Sequence, residues 1–228
     1  MNIFVLSTGR CGSTTFERAC RHIANYSTAH ESRVGCLGSD RLNYPDNHIE
    51  SDNRLSWFLG RLGARYGDEA VYVHLTRDPK KVASSFARRA ALGQFLFAYG
   101  NGVYLRIPYE SKIDSFKLAM DYIDTVNQNI EAFLLTKKNK LRIDISDPKS
   151  GFQEFWRLIG AQGDFQAALS EFDVAHNATP NVSGRAKKAL SRLRRIARHV
   201  ELKPIKLKLV FVKIYRIVRY FPSFVMTI

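Results

Sequence analysis

What the chain has little of narrows its class first. Its 228 residues include three cysteines, Cys11, Cys20 and Cys36, none in Cys-x-x-Cys spacing. Neither a disulfide framework nor a zinc site is indicated, and no cluster of carboxylates or histidines has ligand spacing, so no metal is expected. Acidic residues are also short: 21 against 35 lysines and arginines, a net charge of +14. The shortage is local. From Asn181 onward there are thirteen cations and one acid, Glu201, which leaves the first 180 residues close to neutral. Total charge is therefore no argument that the body binds nucleic acid, and no nucleic-acid partner is expected. Met1 and Asn2 lead straight into an apolar strand, with no basic start or cleavage site of a secretory leader. The cytoplasm is the expected compartment.

What is present is ordinary for a globular protein: 45% apolar and 25% charged residues, enough to bury a full core. Short apolar strands alternate with amphipathic helices. That order predicts an α/β fold with a central parallel sheet flanked by helices in three layers, and ligands at the carboxyl ends of the strands. Residues 1–180 are expected to form this domain, with 181–228 a basic helical extension.

The chain is organised around its start. Asn2 to Ser7 reads as a buried parallel strand. Gly9-Arg10-Cys11-Gly12-Ser13-Thr14-Thr15 follows as a turn, and Phe16, Ala19 and Ile23 then recur at helical spacing. A strand, a glycine turn and a helix N-terminus together make an anion cradle, because free amides, the helix dipole and hydroxyl donors point at one spot. The P-loop of ATP-binding proteins needs a lysine after its second glycine. Here Ser13 follows Gly12, and the cation, Arg10, precedes it. A second strand, from Val71, runs into Arg77-Asp78-Pro79, an N-cap and a helix-opening proline. Ser85 lies two helical turns beyond.

This pair of motifs, in this order, resembles the sulfotransferases that use 3′-phosphoadenosine 5′-phosphosulfate (PAPS). The likeness is close over about residues 1–90 and loose over 113–177. It implies a P-loop-like sulfotransferase fold. It also implies that Arg10, Cys11, Gly12, Ser13, Thr14 and Thr15 hold the 5′-phosphosulfate, while Arg77 and Ser85, eight residues apart, hold the 3′-phosphate. In tyrosylprotein sulfotransferases, and more loosely in some bacterial ones, a catalytic glutamate follows the first loop at a remove like that of Glu31, and in the former an arginine follows it as Arg33 does here. The resemblance therefore assigns the base to Glu31 first and to His30 second. It gives Arg10 a catalytic part and Arg33 a part in acceptor binding. In-line group transfer of this kind depends on positioning, charge stabilisation and a base for the acceptor's proton.

Elsewhere the pattern is less specific. Residues 34–47 read as a loop with at most one helical turn. His48 and Glu50 are either packing at a helix start or a second acid–base pair. Ser51-Asp52-Asn53 reads as caps for a helix carrying Leu55, Phe58, Leu62 and Tyr66. His74, inside an apolar strand, reads as a core histidine. Residues 91–111, aromatic and punctuated by glycine, are either an acceptor lid or irregular core. A long helix is expected from Ile113, a strand at 141–145, and an aromatic helix opened by Asp147-Pro148.

In the tail, residues 205–221 place Leu207, Val210, Phe211, Ile214, Ile217, Val218 and Phe221 on one helical sector and Lys206, Lys208, Lys213, Arg216 and Arg219 on the other. Five cations in fourteen residues exclude an ordinary transmembrane span. The pattern resembles a basic helix lying on an anionic membrane at its inner face. Packing on the body, or cofactor contact through Arg185, Lys187 and Lys188, are the other readings. The acceptor is expected to be a hydroxyl-bearing glycan, glycolipid or small molecule, with carbohydrate or glycolipid favoured. Two alternatives of other classes are a nucleotide kinase-like P-loop enzyme, disfavoured by the missing lysine, and a non-catalytic membrane or nucleic-acid binder acting through the tail.

Overall fold

The computed structural model describes residues 1–89, 94–104 and 114–174. Five strands, β1 (Ile3–Leu6), β2 (Ser27–His30), β3 (His48–Ser51), β4 (Val71–Thr76) and β5 (Lys140–Asp144), form one sheet in the order β2-β3-β1-β4-β5. Every neighbouring pair is parallel. The chain fills one side of β1 first and then crosses to the other, so the order reverses at β1. That reversal opens a crevice at the carboxyl end of β1, the place where open parallel sheets take their ligands.

The strand sequences follow from position. The central strands β1 and β4 are buried along their whole length and apolar almost throughout, as strands covered on both faces must be. The edge strand β5 alternates, with Leu141 and Ile143 inward and Lys140, Arg142 and Asp144 outward. Among the described residues seven helices flank the sheet: α1 (Ser13–Cys20), α2 (Leu59–Tyr66), α3 (Pro79–Arg89), α4 (Gln94–Gly102), α5 (Ser115–Leu135), α6 (Pro148–Leu158) and α7 (Phe165–Ser170). Phe16 of α1 meets Phe152 and Phe155 of α6 at ring separations of 5.4 and 5.0 Å. Tyr122, Ile123, Val126 and Ile130 form the buried stripe of α5. Asp114, Asp147 and Asp164 cap α5, α6 and α7 by accepting hydrogen bonds from first-turn amides, the groups a helix start leaves unpaired.

Three segments differ from the reading of their sequence. The helix expected after Asp52 is broken: Asn53–Trp57 is a tight turn of 3₁₀ helix, and α2 starts only after Phe58. The described part of the aromatic, glycine-punctuated segment is regular helix, α4, with Leu96 and Tyr99 in the core; Tyr109 lies outside the described residues. Finally, His48, Glu50 and Ser51 belong to β3, a central strand that its polar sequence conceals. Glu50 is fully buried. It accepts from the Ser32 amide at 2.8 Å, the Ser32 hydroxyl at 2.5 Å and His48 Nε2 at 3.1 Å. His48 Nδ1 in turn lies 2.8 Å from Ser27 Oγ. This chain of bonds ties β3 to β2 and to the loop after it, and it meets the requirement that a buried carboxylate have partners. Among the described residues no helix is long and apolar enough to cross a membrane. The tail segments 184–200 and 205–221 lie outside the described residues.

Burial pushes the Glu50 carboxyl up, but the hydrogen bonds from His48 and Ser32 outweigh it and hold the group below its ordinary value of 4.5. A carboxyl lowered by folding stabilises the protein above its unfolded pKa, and that contribution disappears as pH falls through the folded value. Glu50→Gln is therefore expected to cost about 1–3 kcal/mol near neutrality and to make the loss of stability below about pH 4.5 shallower than in the wild type. Denaturant midpoints measured from pH 3 to 7 check this; parallel pH curves would contradict it.

Candidate functional site

The loop that fills the crevice after β1 is built on left-handed backbone. Gly9, Arg10 and Gly12 have φ of 81°, 63° and 79°. Two of the three are glycine for good reason. A Cβ on Gly9 would come within 2.7 Å of Asn53 Nδ2, and one on Gly12 within 2.7 Å of Ile145 Cδ1, besides the cost of positive φ for any side chain. Arg10 bears that cost outright, as strained residues at functional positions often do.

The loop's carbonyls are turned into the protein. Ser7 O accepts from Ser56 Oγ, Thr8 O from the Tyr122 hydroxyl, Gly9 O from Thr8 Oγ1 and Arg10 O from Arg77 Nη1. Gly12 O takes the Phe16 amide and Ser13 O the Ser51 hydroxyl. With so many carbonyls held inward, the amides point the other way. Among the described residues those of Cys11, Gly12, Ser13, Thr14 and Thr15 find no acceptor. Five successive unpaired donors at the positive end of α1 are groups that suit an anion.

The two sequence motifs meet at this loop. Arg10 Nε donates to Ser85 Oγ at 3.0 Å, and Arg77 Nη1 donates to the Arg10 carbonyl at 3.1 Å. Ser85 is 3% exposed and its hydroxyl contacts Arg10, so Arg77 and Ser85 come together through Arg10. Among the described residues Arg77 makes no ion pair with a carboxylate, so its charge remains available to an anion. Cys11 is buried in the loop floor. Burial raises its thiol pKa, against smaller lowering effects from Thr8, Arg77 and Arg10, which makes it packing in the turn and a poor nucleophile. Thr14 and Thr15 are half-buried in the first turn of α1.

The strands on the other side of β1 bring up His30 and Glu31. His30 ends β2, with Nε2 3.3 Å from Ser13 Oγ at the start of α1. Glu31 follows in left-handed backbone, φ 55°, its amide bonded to Ser51 O. Its carboxylate lies 2.7 Å from Arg54 Nη1, a contact made by charge more than by hydrogen-bond direction. Arg10 and Glu31, the two residues with the most specific assignments, are thus two of only three non-glycine residues with positive φ among those described. Arg33 is set over the Tyr44 ring at 5.9 Å. His74 bonds Asn127 Oδ1 at 3.2 Å in the core, and its pKa is lowered by burial.

Sequence reasoning missed the residues that support Glu31. Asp52, fully buried, accepts from the Arg54 amide at 2.8 Å and pairs with Arg41 Nη2 at 2.5 Å. Arg41, also buried, donates to the Tyr44 hydroxyl at 3.0 Å. Burial pushes the Asp52 carboxyl up despite the Arg54 amide and Arg41. The signal for Asp52 was its cap position, and it does cap the turn; nothing in spacing discloses that its second oxygen meets Arg41. Among the described residues no group of three or more histidines, cysteines and carboxylates is arranged to hold a metal ion.

No protein-family model and no curated protein matches the chain. Among solved structures it is similar to mouse sulfotransferase SULT7A1 complexed with PAP, at 14% identity and a TM-score of 0.50, over 81% of this chain and 72% of that one. The likeness is one of fold: a parallel five-stranded sheet with flanking helices, of the sulfotransferase and P-loop kind.

Proposed function

We propose that the protein is a sulfotransferase that moves the sulfuryl group of PAPS to a hydroxyl acceptor. The observation that carries this reading is the run of five amides, Cys11 to Thr15, that find no acceptor among the described residues, beside Arg10 and Arg77 at the carboxyl end of β1. Two further facts support it: Ser13 stands where an ATP-binding loop has its lysine, and the solved sulfotransferase of similar fold is complexed with PAP. When bound, PAPS supplies a sulfuryl group on a bridging oxygen that leaves with adenosine 3′,5′-bisphosphate. The amides of Cys11 to Thr15 would grip the 5′-phosphosulfate, and Arg10 would neutralise charge growing on the leaving oxygen. Arg77, with Ser85 beneath Arg10, would meet the 3′-phosphate. Glu31 would accept the proton of the acceptor hydroxyl as its oxygen bonds to sulfur, with His30 second in that role. Arg54 keeps the Glu31 carboxylate oriented.

The acceptor is a carbohydrate or glycolipid on this reading, and the protein works in the cytoplasm. The five cations of 205–221 would bring it to the inner surface of an anionic membrane. Replacing Lys206, Lys208, Lys213, Arg216 and Arg219 by Gln should abolish co-sedimentation with vesicles containing phosphatidylglycerol. Undiminished co-sedimentation would remove the membrane from the account.

Two substitutions separate binding from chemistry. Arg77→Ala is expected to weaken adenosine 3′,5′-bisphosphate by tenfold to a hundredfold, the worth of one charged hydrogen-bonding partner, with thermal stability retained. Glu31→Gln is expected to bind the bisphosphate as the wild type does and to lose a hundredfold or more in transfer of radiolabelled sulfuryl from PAPS. Unchanged affinity in the first variant would refute the 3′-phosphate assignment; full turnover in the second would move the base to His30.

A further inference from the structure

Arg54 has a second neighbour. While Nη1 holds Glu31, its Cζ lies 5.1 Å from the centre of the Phe95 ring in α4. Phe95 opens onto a cluster of rings: Phe95 to Tyr122 is 6.1 Å, Trp57 to Tyr122 6.3 Å, Trp57 to Tyr99 6.3 Å and Tyr99 to Tyr104 5.4 Å. The interior of the cluster is ordinary core, since Tyr99 and Tyr122 are 3% and 0% exposed. Its rim is not. Trp57 and Tyr104 are 44% and 45% exposed on either side of buried Tyr99, so each presents part of a ring to solvent.

These rings are fixed in place. Asp121 accepts from the Tyr99 hydroxyl at 2.6 Å and from the Tyr104 hydroxyl at 2.7 Å. Trp57 closes the 3₁₀ turn that Asp52 caps and that carries Arg54. Aromatic faces and hydrogen-bonding groups therefore share one rim, with Asp121 at one end and the Arg54–Glu31 pair at the other.

Resting on the sulfotransferase reading, we infer that Trp57, Phe95 and Tyr104 form the acceptor subsite, and that they take a sugar ring. A pyranose has an apolar C–H face to lay on an indole or phenol ring and several hydroxyls around its edge. The carboxylates and tyrosine hydroxyls of this rim meet those hydroxyls while one of them reaches Glu31. A phenol has a single hydroxyl and an apolar body, and suits an enclosed apolar pocket better than an exposed shelf. An acyclic polyol has hydroxyls but no face. Tyr and Trp give such contacts at low entropic cost, because few rotatable bonds are fixed.

The test uses the full-length protein and radiolabelled PAPS with four kinds of probe: disaccharides of glucose, of galactose and of N-acetylglucosamine, then sorbitol, 2-naphthol and water alone. Adenosine 3′,5′-bisphosphate binding is measured on the same preparations. The expected result is transfer to at least one disaccharide at ten times the rate for sorbitol or 2-naphthol. Trp57→Ala and Tyr104→Ala should each raise the disaccharide KM tenfold or more, with bisphosphate affinity unchanged and kcat within about threefold. Trp57→Phe, which keeps a flat ring, should restore most of the lost KM. Preference for 2-naphthol, equal use of sorbitol, no transfer to any disaccharide by protein that binds the bisphosphate, or an unchanged KM in both alanine variants would overturn the subsite. Failure of the wild type to bind the bisphosphate would instead overturn the cofactor reading beneath it.

Discussion

The direction in which one turn points its amides governs the rest of this site. A loop of left-handed residues between β1 and α1 turns its carbonyls into the protein, where Ser56, Tyr122, Thr8, Arg77 and Ser51 each donate to one. The five amides from Cys11 to Thr15 find no acceptor among the described residues. The donors for the carbonyls come from the 3₁₀ turn, α5, β3 and the end of β4, so the cradle depends on much of the domain being in place. Gly9 and Gly12 supply the backbone freedom, and a Cβ at either would press on Asn53 or Ile145.

A second constraint shapes the opposite wall of the crevice. Asp52 and Arg41 are buried together, an arrangement whose Coulombic gain does little more than offset desolvation. Its consequence is geometric: Asp52 also holds the Arg54 amide, and Arg54 holds Glu31. Glu50 acts in parallel by fastening Ser32, the residue after Glu31, to β3. A carboxylate on a loop is thus fixed from both sides without being buried. Arg54 also lies over Phe95, so the same guanidinium joins the proposed base to the aromatic rim.

Legibility varied with how local the physics is. The strands β1 and β4, the two helix starts after them and the capped helices α5 and α6 all carry their signals in a few consecutive residues, and those were readable. The glycine turn was readable for the same reason. Strand β3 was not, because burial of His48 and Glu50 depends on Ser27 and Ser32, which are distant in sequence. The ion pair of Arg41 with Asp52 and that of Arg54 with Glu31 depend likewise on loops closing, which no periodicity records. The break at Phe58 and the helical character of residues 94–102 also escaped. In the first, a cap is followed by too short a helical pattern; in the second, glycine suggests a loop while tertiary packing of Leu96 and Tyr99 decides for helix.

The central claim is that the loop from Gly9 to Thr15 binds a phosphosulfate nucleotide. Calorimetric titration of the full-length protein with adenosine 3′,5′-bisphosphate, against ATP with and without magnesium, tests it most directly. The account predicts micromolar binding of the bisphosphate, about −8 kcal/mol, and at least a hundredfold weaker binding of ATP. Tight binding of ATP alone, or of neither nucleotide, would contradict it.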